Sequence, residues 1–332
     1  MQKGKEVTKV TKAPKAPKVV KGKSLNRVHS KTFAERLAEN WQLILLAIPG
    51  FIFYIIFRYG PMYGLVIAFK DYGIFRGIID SPWAEPVTKH FIKFFNSGDF
   101  WLLFKNTAML GAFGLLWTFP VPILFALLLN EVRHKAYKKF VQTATYLPSF
   151  LSIVVICSML TDMLSPSSGI FNSIIKALGG KPIYFLVKPE WFRTIYIASD
   201  VWSGFGYGAI IYLAALSGVD PQLYEAATID GCGRIKSMWH VTLPGILPTI
   251  ATMFILNSGR ILNVGADKLL LLYNPATYSV ADTFSTYVYR KGIGGFDYSY
   301  STAVGLFNSL VALMFVILSN YVSRKFAETS LW

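Results

Sequence analysis

Residues 225–244 read EAATIDGCGRIKSMWHVTLP, a polar stretch jointed by two glycines in a chain of 332 residues that is 53% hydrophobic overall. Just upstream, Asp220–Pro221 has the makings of a helix start. The carboxylate can cap free amides, and proline suits the first helical position. Gln222 to Ile229 continues with good helix formers. Gly231 and Gly233 permit backbone angles that other residues resist. A second helix is predicted from about Arg234 to Leu243, ending before Pro244. Leu223, Ala226, Ala227 and Asp230 lie three and four apart and share a face, shallow enough for close approach by another surface. Glu225 projects from a different side, placed for a basic partner.

Outward from this stretch the chain is a series of apolar blocks. A bilayer core about 30 Å thick needs roughly 20 apolar residues of helix to cross it. Six blocks qualify: about Trp41–Phe57, Trp101–Leu129, Ala144–Thr161, Ile195–Leu216, Ile246–Leu262 and Ser301–Val322. Backbone in hydrocarbon must satisfy its own hydrogen bonds, so these are expected to be helices. The first block is short and also fits a long core helix, but six in one chain argue for a bilayer. Only 15% of residues are charged, against about 25% in soluble domains. The expected fold class is an all-α membrane protein, with the 220–245 element between the fourth and fifth spans. Pro120 and Pro122 should bend or interrupt the second span; an ordinary kink and a hinge both fit.

The net charge of +15 is unevenly spread. Residues 1–40 hold eleven Lys or Arg against three Glu. They read as a basic, largely disordered arm, with the membrane domain at 41–332. Such an arm is a positive-inside signal with attraction to anionic lipid, and nucleic acid is not the expected partner. It is no secretory signal: the first apolar block starts only at Trp41, with no small-residue cleavage site after it. With the amino terminus inside, six spans put the carboxyl terminus inside too. Loops 130–143, 217–245 and 323–332 are then inside, and 58–100, 162–194 and 263–300 outside. Tyr59, Tyr63, Phe69 and Tyr72 suit a segment along the membrane surface. SPSSGIFNSIIKALGG suits a short outer helix closing at Gly179–Gly180. Cys157 and Cys232 are not expected to form a disulfide.

The 225–244 spacing resembles the EAA loop of importer-type ABC permeases: Glu-Ala-Ala, three residues, Gly, nine residues, an aliphatic residue, any residue, Leu-Pro. Glu225, Ala226, Ala227, Gly231, Val241, Leu243 and Pro244 meet every fixed position. Asp230 and Pro248 match the carbohydrate branch, while Cys232, Met238 and Val241 depart mildly from it. YGPMYGLVIAFKDY, YNPATYSVADTFSTYVYRKG and SRKFAETSLW resemble the polysaccharide-type subgroup, whose relatives carry alginate, aldouronate or rhamnogalacturonan fragments. The resemblance implies the type I importer permease fold in a bacterial cell membrane. It implies a second, homologous permease, a sugar-binding protein on the extracellular or periplasmic side, and two ATP-binding subunits on the cytoplasmic side. ATP and Mg would be used by those subunits, and this chain would bind no cofactor and catalyse nothing. The helix pair would dock on an ATPase as a coupling helix, with Glu225 a polar contact and Gly231 the joint. KGKS at Lys21–Ser24 is no phosphate loop, because Pro17 stands where the pattern needs Gly. His29, His90, His134 and His240 are scattered, so no metal cluster is expected.

A sugar path needs hydrogen-bonding side chains and aromatic faces, and polar groups within a span are costly unless they face a cavity or partner. Asn257, Arg260 and Asn263 share one helical face in and just beyond the fifth span. Asn308 lies in the sixth span, and Trp202, Tyr207 and Tyr212 in the fourth. Lining a pathway and bonding helix to helix are both open to each. Arg260, Lys268, Arg290 and Lys291 would suit an acidic saccharide, although Asp267, Asp282 and Asp297 lie near in sequence. The alternatives are the same architecture carrying a peptide or amino acid, and an ion-coupled carrier. A carrier would more often show paired ionisable residues in mid-span, and Asp162 is read as the only acid near one.

Overall fold

The structure is a computed structural model and describes residues 40–258, 261 and 264–327. The basic arm before residue 40, the KGKS stretch, Arg260, Asn263 and the last five residues lie outside the described residues. Among the described residues there is no strand, only an isolated antiparallel bridge between Lys70 and Trp83. Three helical runs are long and apolar enough to cross a membrane: Trp41–Phe69, Asp99–Asn130 and Tyr298–Val322. Three further spans exist only as bent helix pairs, which brings the number to as many as six.

The chain divides into two units at Pro61. In the first, α1 (Trp41–Tyr54) tolerates Pro49 in its interior and passes into a π-helical turn at Ile55–Tyr59. No side chain of α1 is buried, as suits a helix whose solvent is hydrocarbon.

In the second unit, Tyr63–Phe69 is a 3₁₀ helix packed on a long helix from the other end of the chain. Its run 66–69 is partly or fully buried, while Tyr63 stays exposed. Beyond it come α2 (Lys89–Phe95), α3 (Asp99–Thr118) and α4 (Pro120–Asn130). Lys89 reaches back to Asp71 at 2.9 Å, and its hydrogen bond holds that carboxyl below the usual carboxylate range. The α3–α4 break falls at Phe119, and Pro120 takes the first position of the new helix, where its missing N–H costs nothing.

The third apolar block is not one straight helix. α5 (Lys135–Tyr146) ends in a 3₁₀ turn at Leu147–Phe150, and α6 (Ile153–Leu164) leaves at 99°. Pro148 and extended Leu151 break the ladder, and the Ser152 hydroxyl caps the new start by accepting from Val155 N. Ile170–Ala177 is the short helix expected in the next loop, followed by Gly179 at φ 81°.

α7 (Pro189–Leu216) is the central element. Near its start, Phe192, Tyr196 and Ile197 share a core with Leu110 of α3, Cys157 of α6 and Leu269. Near its end, Ala209, Tyr212 and Leu216 share another with Ile123, Ala126 and Leu127 of α4. α8 (Pro221–Ile229) follows, then α9 (Leu247–Ser258), α10 (Ala266–Leu272), α11 (Phe284–Tyr289) and α12 (Tyr298–Ala327). α12 is the helix that receives Tyr63–Phe69. Phe94, Leu103, Phe284, Tyr287, Tyr300 and Val304 form a third core joining α2, α3, α11 and α12.

Candidate functional site: a docking pair and a mid-span cavity

The 220–245 stretch folds as two helices joined by a closed turn. Asp220 caps α8, its carboxylate accepting from Gln222 N at 2.9 Å, with Pro221 in first position. At the other end Gly231 adopts φ 73°, the left-handed region. Gly231 N donates to Thr228 O and Cys232 N to Ala227 O, at 3.1 and 2.9 Å. This pair of bonds defines a Schellman stop, and glycine enters it without the penalty a Cβ brings. The second helix runs Arg234–Gly245 and includes a π-helical turn at Met238–Thr242. It does not stop before Pro244 as the sequence suggested. The wide turn already shifts the hydrogen-bond ladder by one residue, so the proline is accommodated within the helix.

The pair leaves its neighbouring spans at sharp angles, 78° from α7 to α8 and 63° from the Arg234–Gly245 helix to α9. Met238 and Leu243 pack on the core formed by α4 and the end of α7, and Val219 joins them. Ala227 is buried, so the face expected to hold Leu223, Ala226, Ala227 and Asp230 together is divided. Leu223, Ala226 and Asp230 remain exposed, as do Glu225, Gly231 and Pro244, while Leu243 is half-buried. Ile229 and Ile235 are among the most exposed apolar residues of the chain, at 86% and 70%. Trp239 is exposed as well, and so are the charged residues Glu225, Asp230, Arg234 and Lys236 of the same pair. An apolar surface rimmed by charge is the usual character of a protein contact.

Farther along α7 lies a cavity of about 790 Å³. Thr118, Asp200, Tyr207, Tyr212, Met253 and Asn257 are among its lining residues. A second cavity of about 230 Å³ shares Thr118, Asp200 and Asn257 and adds Tyr196. Of the sequence-predicted path residues, Asn257 and Tyr212 therefore come together, and Tyr207 with them. Asn257 Nδ2 donates to Met253 O at 2.8 Å within its own helix. Trp202 faces elsewhere, into an apolar depression with Phe113, Trp117 and Phe205. Asn308 is buried in α12.

Sequence reading missed Asp200, which lies well inside α7. Asp162 is not the only acid in or near a span: Asp200 lies inside one and pairs with Lys268 of the short helix α10. Lys268 Nζ is 2.6 Å from Asp200 Oδ1 and donates to Tyr196 O at 2.7 Å. Its ammonium also lies 4.3 Å from the centroid of the Tyr196 ring. The missed signal was a carboxylate within an apolar block, which calls for a cavity or a cation. Of the other cations offered for an acidic saccharide, Arg290 and Lys291 are also engaged. Arg290 forms a two-point pair with Asp282, at 3.1 and 2.5 Å, and Lys291 lies 5.5 Å from the Tyr287 ring centroid. Among the described residues no group of His, Cys, Asp and Glu could hold a metal.

Bent spans around a cavity, with a jointed helix pair at one end, describe a membrane translocator worked from outside itself. Residues 119–328 match the family described as the binding-protein-dependent transport system inner membrane component, and the chain belongs to it. It is thus a permease component of an ABC transport system in the inner membrane, working with a second permease and with separate ATPase subunits. One curated relative is the polygalacturonan/rhamnogalacturonan transport system permease protein YteP of Bacillus subtilis (strain 168). It is 46% identical over 297 residues, 90% of this chain and 92% of the relative. Two solved structures share the fold. The first, a bacterial ABC transporter involved in the import of the acidic polysaccharide alginate, matches at 43% identity and TM-score 0.81, covering 88% of this chain and 98% of the other. The second is the bacterial alginate transporter in complex with an alginate pentasaccharide-bound periplasmic protein. It matches at 42% identity and TM-score 0.82, covering 91% and 100%.

Proposed function

We propose that this chain is the permease subunit through which oligosaccharide fragments of a polysaccharide enter the cell, and that the 220–245 pair is its contact with an ATPase subunit. The observation that carries the reading is the continuity of α7: one helix lines the cavity along part of its length and forms the terminal core along another, and the exposed pair packs on that core. Closure of the ATPases around ATP and Mg would move the pair, and α7 would carry the movement to the cavity. The sugar is supported by the relatives, which are described as carrying polygalacturonan, rhamnogalacturonan and alginate. Thr118, Tyr207 and Asn257 supply hydroxyls, an amide and an aromatic face of the kind that suits a saccharide. In this reading the pair, and both termini, face the cytoplasm, and a sugar-binding protein delivers the solute from the other side. Glu225 meets a basic ATPase residue, and Ala226, Asp230 and Gly231 lie at the same contact. Ala227 and Leu243 support the pair from within, and the exposed Pro244 lies with the contact residues.

The test uses the reconstituted complex. Glu225→Ala and Gly231→Val should each lower ATP hydrolysis stimulated by loaded binding protein at least about fivefold while the permease still inserts. Asn257→Ala should lower uptake while leaving basal hydrolysis intact. Undiminished stimulation in both docking variants would remove the coupling role. Unchanged uptake in Asn257→Ala would remove that residue from the path.

A further inference from the structure

Asp200 is the only charged side chain among the described residues lining the two mid-span cavities. About a third of its side chain is exposed, and only Oδ1 has a partner among the described residues. Lys268 is the reverse: 4% exposed, it is screened from anything in the cavity. Its ammonium is engaged by Asp200, by Tyr196 O and by the face of the Tyr196 ring, a set that suits the charged form. The lysine comes from α10, 68 residues along the chain from the acid. Breaking such a pair by removing one member leaves an uncompensated charge behind.

We propose that Lys268 is a positioning and specificity residue: it neutralises Asp200 from behind, so that the cavity offers no net negative charge to a passing anionic saccharide. This rests on the sugar-passage reading, because only a charged solute makes the compensation matter. Lys268 never touches the solute. It fixes the Asp200 carboxylate against α10 and cancels its field, leaving Oδ2 free to accept from a sugar hydroxyl. Without the ammonium, the carboxylate would stand alone in a poorly hydrated passage and repel a uronate. A neutral sugar of the same length would feel no such repulsion.

The experiment compares uptake of a galacturonate trimer with that of its methyl ester in cells carrying the whole transporter, normalised to permease in the membrane. Lys268→Met should lower the acid-to-ester uptake ratio roughly tenfold, the repulsion of two like charges about 10 Å apart at an effective dielectric of about 20. The double variant Lys268→Met/Asp200→Asn should return the ratio to that of the wild type. Asp200→Asn alone leaves the ammonium uncompensated and should shift the ratio the other way, which serves as the readout if Lys268→Met does not insert. An equal loss of both probes in Lys268→Met, or an unmoved ratio in both single variants, overturns the proposal and leaves the pair a structural tie. Wild-type cells importing neither probe would instead sink the sugar reading, and the proposal with it.

Discussion

At the level of single residues, some glycines mark places where one helix backbone closely approaches another segment. A Cβ added at Gly206 would lie 2.2 Å from Thr145 O, whereas one at Gly204, two residues away, would meet nothing within 4 Å. Gly206→Ala must therefore push α7 away from α5 and should cost about 1–3 kcal/mol. Gly204→Ala should be nearly neutral for stability. Thermal unfolding of the purified permease in detergent makes the comparison, and equal midpoints would show that the contact is soft. Neither glycine stands out in the sequence, because close backbone approach depends on the other helix. Asp200 differs: its oddity was legible as a carboxylate in an apolar block. Its partner was not, because Lys268 belongs to another segment and sits beside Asp267, the more obvious neighbour.

Single elements were legible where local chemistry decides them. Asp220, Pro221 and Gly231 mark the start and stop of α8 through their own backbone preferences, and the structure has them in those roles. The bend within the Ala144–Thr161 block was not legible, since apolar composition gives the length of a span but not its straightness. Pro148 and Ser152 in fact turn the chain through a right angle there. Likewise the π-helical turn before Pro244 reflects packing of Met238 and Leu243, which no local pattern displays. Because α8 is a helix of nine residues with a single side-chain cap, Asp220→Ala should loosen it by about 1 kcal/mol. Amide hydrogen exchange should then be faster across 222–229 and unchanged in α7. Protection equal to that of the wild type would mean that contacts on the buried side, at Ala227, hold the helix unaided.

For the molecule as a whole, the two cysteines report on orientation. Cys157 is buried in the core shared by α3, α6 and α7, while Cys232 lies half-buried in the joint of the docking pair. In a permease produced without its ATPases, a membrane-impermeant maleimide should label inverted vesicles at Cys232 and leave right-side-out cells unlabelled. Labelling from outside would reverse the proposed topology. The fold class, up to six candidate spans and the jointed 220–245 helix pair all followed from sequence, because hydrocarbon thickness and backbone spacing are local constraints. The cavity did not, since it exists only where α3, α7 and α9 diverge. The length of α7 gives the arrangement a scale. From Asp200 to Leu216 a straight helix rises about 24 Å, so a swing of about 5° at the docked end displaces the cavity wall by about 2 Å. That exceeds the tolerance of a hydrogen bond to a sugar hydroxyl. Under the proposed coupling, a small angular stroke of the ATPase would be enough to release a bound sugar.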